Sequence, residues 1–107
     1  MTNLPQTFAA LSDATRFAIV ERLLSEGEQS AGALGGVARL SAPAISRHLK
    51  VLREAGVIDQ RIAGQHRIYA VRPEAIQAIA AWTMDHRAFW EGSLNRLETA
   101  LKNLRNP

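Results

Sequence analysis

A chain of 107 residues and 11.7 kDa has room for one compact domain, not two. It carries 13 Lys+Arg against 10 Asp+Glu, 47% hydrophobic residues and no cysteine, which excludes whole-chain disorder, disulfide scaffolds, thiolate metal sites and cysteine redox switches. No apolar run approaches the roughly 18 residues of a membrane helix. Met1-Thr2-Asn3-Leu4-Pro5 lacks the basic start and apolar stretch of a secretory signal, so the expected setting is cytoplasmic, with no membrane partner.

Leu4, Phe8 and Leu11 recur at helical spacing and predict a first helix over about 3–11. Ser12-Asp13 offers an N-cap for a second, whose apolar face is Phe17, Ile19, Val20, Leu23 and Leu24, with Gly27 suited to the left-handed stop. Ser30 is placed to cap a helix over 31–38 with Leu34 and Val37 inward, although Gly32, Gly35 and Gly36 each weaken it by about 1 kcal/mol relative to alanine. Ser41-Ala42-Pro43 is a stronger helix start, a capping serine with proline in the first turn. On that helix Ile45, Leu49 and Leu52 share one side, Pro43, Arg47 and Lys50 the other, and Ala55-Gly56 closes it. Residues 57–62 and 67–71 then alternate apolar and polar around Ala63-Gly64-Gln65-His66, the pattern of a β-hairpin. Pro73 opens a last helical region to about 104, in which Trp90, Leu94, Leu97, Leu101 and Leu104 form a heptad-like seam. The fold class is therefore mainly α with a small β-hairpin, in a single domain.

Charge is concentrated in the middle of the chain. Residues 39–72 hold Arg39, Arg47, Lys50, Arg53, Arg61, Arg67 and Arg72 against Glu54 and Asp59, a net +5 that exceeds the +3 of the whole protein. Such a stripe on a near-neutral body fits a polyanion. The DNA major groove, about 12 Å wide, admits one helix bearing short polar and basic side chains. Ser46 offers a hydroxyl to a base edge or a phosphate, Arg47 a fork that fits guanine O6/N7, and Lys50 and Arg53 point charges for phosphates. At the hairpin, Arg61, Gln65, His66 and Arg67 suit the backbone or a minor groove.

The run Ser41 to Ile58, SAPAISRHLKVLREAGVI, resembles the recognition-helix signature of the ArsR/SmtB family of bacterial winged-helix repressors. Phe8-Ala9-Ala10-Leu11-Ser12-Asp13-Ala14-Thr15-Arg16 is similar to that family's entry into its second helix, and Ala63 to Val71 to its wing; the likeness spans roughly 5–104. It implies a winged helix-turn-helix, with the helix-turn-helix over about 30–55, the wing over about 57–72, and helices at both termini joining two copies. It further implies a homodimeric repressor on an imperfect palindrome in a promoter, with Ala42, Pro43, Ser46 and Arg47 facing bases. Leu4, Phe8, Trp82, Phe89, Trp90, Leu94, Leu97 and Leu101 are the expected dimer contacts.

Departures from the family are equally informative. Where metal-sensing members carry Cys-x-Cys, this chain reads Ser30-Ala31-Gly32-Ala33-Leu34-Gly35. Asp85 and His86 are adjacent rather than two apart, and Leu97 and Ala100 stand where a second ligand pair would be needed. His48, His66 and His86 share no ligand spacing, so neither a metal nor another cofactor is expected. His48 falls at the buried edge of its helix and reads as a packed, hydrogen-bonded histidine. His86 beside Asp85 reads as a helix-surface pair. Two alternatives stay open: a small-molecule effector entering near Trp82 and Trp90, and a protein-interaction module with an acidic partner. No phosphate-cradling glycine loop or nucleophile–base grouping is present, so an enzyme is not expected.

Overall fold

The computed structural model describes residues 3–105. In chain order the elements are α1 (Leu4–Leu11), α2 (Ala14–Glu26), β1 (Gln29–Ser30), α3 (Ala31–Leu34), α4 (Ala42–Glu54), β2 (Ile58–Ala63), β3 (His66–Val71), α5 (Pro73–Asp85) and α6 (Arg87–Arg105). Short polar side chains start the first four helices. Asn3, Asp13, Ser30 and Ser41 accept hydrogen bonds from the backbone N–H groups of Gln6, Arg16, Ala33 and Ala44, satisfying donors that a helix start leaves open. Gly27 ends α2 at φ +78°, where a side chain would be strained.

Ile19, Val20 and Leu23 of α2, Leu34 of α3 and Ile45, Leu49 and Leu52 of α4 meet Val57, Ile58 and Tyr69 in one core. Thr7 is fully buried, and its hydroxyl donates to the Asn3 carbonyl within α1 at 3.0 Å, so no polar group is stranded there. The sheet has three antiparallel strands in the order β1-β3-β2.

Four details differ from the sequence reading. The helix expected over 31–38 stops at Leu34 and gives way to turns in which the Val37 N–H reaches the Leu34 carbonyl only three residues back, a stretch where Gly35 and Gly36 favour helix least. The hairpin gains a third strand, since Gln29 and Ser30 pair with Tyr69 and Ile68. Two residues are too few to show a period of two. The hairpin tip is tighter than expected, with Ala63 and His66 paired and Gly64 at φ +62° in the turn, while Val57 caps the preceding helix by donating to the Leu52 carbonyl. Finally, the region from 73 to 104 is two helices that break at His86.

Candidate nucleic-acid interface

The helix-turn-helix is α3, the turn through Arg39-Leu40-Ser41, and α4. Arg39 turns the chain at φ +54°, a left-handed conformation uncommon for a residue with a side chain. The Ser41 hydroxyl accepts from Ala44 N–H at 3.3 Å, and Pro43 sits in the first turn, where a missing N–H costs no helical bond. Burial of Ile45, Leu49 and Leu52 fixes which side of α4 faces outward. Ala42, Pro43, Ser46, Arg47, Lys50 and Arg53 are all exposed, and together they form one polar and basic surface.

The basic residues have unequal surroundings. Among the described residues, the Arg47 and Arg67 side chains make no hydrogen bond or ion pair with protein. Lys50 Nζ lies 3.9 Å from Glu54 Oε1, a loose surface pair. Arg53 donates to Gln60 Oε1, the same oxygen that accepts from the Tyr69 hydroxyl at 2.9 Å. Arg61 is bidentate on Glu28, at 2.7 and 3.5 Å. That pairing pushes the Glu28 carboxyl below its ordinary range and holds the Arg61 guanidinium more firmly charged. Arg72 is shared between Asp59 and Glu74, at 3.6 and 3.7 Å. Glu28 and Glu74 lie outside the basic stretch 39–72, so the net +5 read from the sequence is partly offset once the chain folds.

Gln65, His66 and Arg67 stand exposed at the tip of the β2–β3 wing. His48 is hydrogen-bonded at the inner edge of α4, as its place in the sequence suggested: its Nδ1 lies 3.3 Å from Arg16 Nη1. Its side chain is 22% exposed. Gln60 and Tyr69, which link the wing to Arg53, were not singled out in the sequence; the hairpin register, which pairs them across the strands, is the signal that identifies them.

The expected dimer residues are split between two surroundings. Phe8 of α1 meets Trp82 of α5 edge to face at 5.6 Å within one chain. On α6, Phe89, Leu94, Leu97 and Leu101 are 75%, 57%, 57% and 49% exposed. Trp90 donates its indole N–H to the Thr83 carbonyl at 3.2 Å, and Leu4 is half-buried. An apolar recess of about 380 Å³ lies between α2 and α5, lined by Leu24, Val71, Pro73, Ile76, Gln77 and Ala80. Trp82 and Trp90 are not among its walls.

These features have counterparts in known proteins. A helix-turn-helix domain family matches residues 11–61. The chain is 39% identical over 89 residues to the HTH-type transcriptional regulator Rv2034 of Mycobacterium tuberculosis, covering 83% of this chain and 79% of that protein. It is 35% identical over 99 residues to the arsenical resistance operon repressor of Escherichia coli, covering 92% and 82%. The crystal structure of an ArsR family transcriptional regulator superposes with a TM-score of 0.74 at 31% identity, over 82% of this chain and 96% of that one. An ArsR-like transcriptional regulator from Rhodococcus gives a TM-score of 0.70 at 29% identity, over 91% of each chain. The relatives are transcriptional regulators rather than enzymes. A capped, outward-facing second helix, a basic wing and these likenesses agree: the chain belongs to the ArsR/SmtB family of winged helix-turn-helix, DNA-binding transcriptional regulators.

Proposed function

We propose that this chain is a homodimeric repressor that reads an imperfect palindrome in a promoter and does so without sensing a metal. The observation that carries the reading is the face of α4. Burial of Ile45, Leu49 and Leu52 leaves Pro43, Ser46, Arg47 and Lys50 outward, on a helix of the width a major groove admits. Ala42 and Pro43 approach bases with little bulk, and Ser46 and Arg47 supply hydrogen bonds to base edges. Lys50, Arg53, Gln65, His66 and Arg67 supply the phosphate contacts that dominate affinity. Arg61, held by Glu28, contributes mainly by stiffening the wing.

Two copies joined through α1, α5 and α6 cover the apolar seam of α6 and present two α4 helices to half-sites about 34 Å apart. The repressor reading is supported by relatives such as the transcriptional repressor SdpR of Bacillus subtilis, 35% identical over 78 residues. The Escherichia coli relative is named for arsenical resistance. A chain with no cysteine has no thiolate to offer a soft metal, which supports a metal-independent mode here.

Selection of genomic fragments by the purified protein, followed by gel shift and footprinting, tests the proposal. The expected result is a few enriched duplexes protected over two half-sites one helical turn apart. No retention of any duplex at low salt would overturn it.

A further inference from the structure

Arg16, Asp13 and His48 form a polar cluster where three helices meet, and the outward surface of α4 makes no use of it. Arg16 leaves the first turn of α2. Its Nε donates to the Ala10 carbonyl in the last turn of α1 at 2.6 Å, and its Nη1 lies 3.3 Å from His48 Nδ1 on α4. Asp13 accepts the Arg16 backbone N–H at 3.0 Å and stands 3.8 Å from the same His48 nitrogen. A guanidinium has only donors, so Nδ1 must be the acceptor and the proton of the neutral imidazole must sit on Nε2. One cation thus ties the end of α1, the start of α2 and the inner edge of α4, while the Asp13 carboxylate fixes the backbone from which the arginine departs.

The position of His48 gives this tie its consequence. It stands between Arg47, which faces outward, and Leu49, which is buried. Apolar burial of Ile45, Leu49 and Leu52 is non-directional and resists small rotations of a helix only weakly. A charge-assisted hydrogen bond at the helix edge is directional.

We propose that Arg16 and His48 are positioning residues for DNA recognition: their bond sets the rotation of α4 about its own axis and so aims Ser46 and Arg47 at base edges. This rests on the sequence-specific reading of α4 given above. Bidentate base contacts need alignment, whereas phosphate contacts tolerate displacement. Loss of the bond therefore lowers the preference between sequences and spares general affinity.

The test uses the full chain, a duplex recovered in the genomic selection and a shuffled duplex of the same composition. At pH 8 the imidazole nitrogen spectrum of the wild type should show His48 Nδ1 unprotonated. His48→Leu should lower the preference for the recovered duplex about tenfold, leaving affinity for shuffled DNA within about twofold. His48→Asn, whose Oδ1 stands near the place of Nδ1, should restore most of the preference. Arg16→Lys, which keeps the charge but cannot reach Ala10 and His48 together, should repeat the loss and keeps the test open if His48→Leu does not fold. A protonated Nδ1 in the wild type, or folded His48→Leu and Arg16→Lys proteins with unchanged preference, would overturn the proposal. A wild type that shows no preference at all would instead remove the sequence-specific reading, and the nitrogen spectrum would still decide the Arg16–His48 bond.

Discussion

Arg47 and Lys50 stand three residues apart on the same side of α4, and the proposed reading divides their work by their surroundings. Arg47 has no protein partner among the described residues, whereas Lys50 leans toward Glu54 at 3.9 Å. Arg47→Ala should relax the choice at one base step, costing about 1–3 kcal/mol on the preferred duplex and little on others. Lys50→Ala should weaken every duplex alike, and equal losses for both variants on both kinds of DNA would refute the division. Two carboxylates make stability depend on acid. Asp13, chiefly through the Arg16 backbone N–H, and Glu28, chiefly through the Arg61 side chain, titrate below their ordinary values of 3.8 and 4.5. A depressed carboxyl stabilises the fold fully above its unfolded value, and that contribution fades as pH falls through the folded one. Melting temperature should therefore hold from pH 7 to about 5 and drop below about 4, with a shallower drop in an Asp13→Asn, Glu28→Gln protein. The Asp13 bond is the N-cap the sequence offered, whereas the second pairing was hidden because Glu28 and Arg61 are 33 residues apart, and only the β1–β3–β2 order brings them together.

Among the elements, the recognition helix was the most legible. Ser41, Pro43, the Ile45-Leu49-Leu52 spacing and Gly56 all point to the same helix and the same buried side. Its cap is a single hydroxyl, so Ser41→Ala should lower unfolding free energy by about 1 kcal/mol, while Ser41→Asp should retain most of it, as read by denaturant midpoint. The helix before it was legible only at its start. Ser30 caps as expected, but local sequence could not show that Ser30 also belongs to a strand paired with Ile68. The break at His86 was equally hidden, because the apolar pattern continues across it. What breaks the helix is a local set of bonds: His86 Nδ1–H donates to the Trp82 carbonyl at 2.8 Å, and the His86 backbone N–H donates to Thr83 at 3.2 Å.

On the scale of the whole molecule the described chain measures 67 × 31 × 21 Å, long for its size because α6 runs clear of the core. The α6 seam, by its heptad-like spacing, suits packing onto the first helix as well as onto a second copy. The half-exposed Leu94, Leu97 and Leu101 leave it available for a second copy. Leu97→Glu with Leu101→Glu should give a monomer by light scattering. If each protomer neutralises about four phosphates, log affinity of the dimer should fall with log salt at a slope of about −7, and that of the monomer at about half this. A slope that stays the same in a confirmed monomer would contradict that assembly. The joint at His86 then acquires a mechanical meaning. With 19 residues beyond it, α6 is an arm roughly 28 Å long, so each degree of bend at the joint displaces its tip by about 0.5 Å. The Trp90 indole donates back across the joint to the Thr83 carbonyl at 3.2 Å, beside the His86 bonds that break the helix. On the proposed dimer closed through α6, a bend of a few degrees at this joint would move the two α4 helices apart or together by ångströms, so the half-site spacing would be governed by contacts far from the DNA.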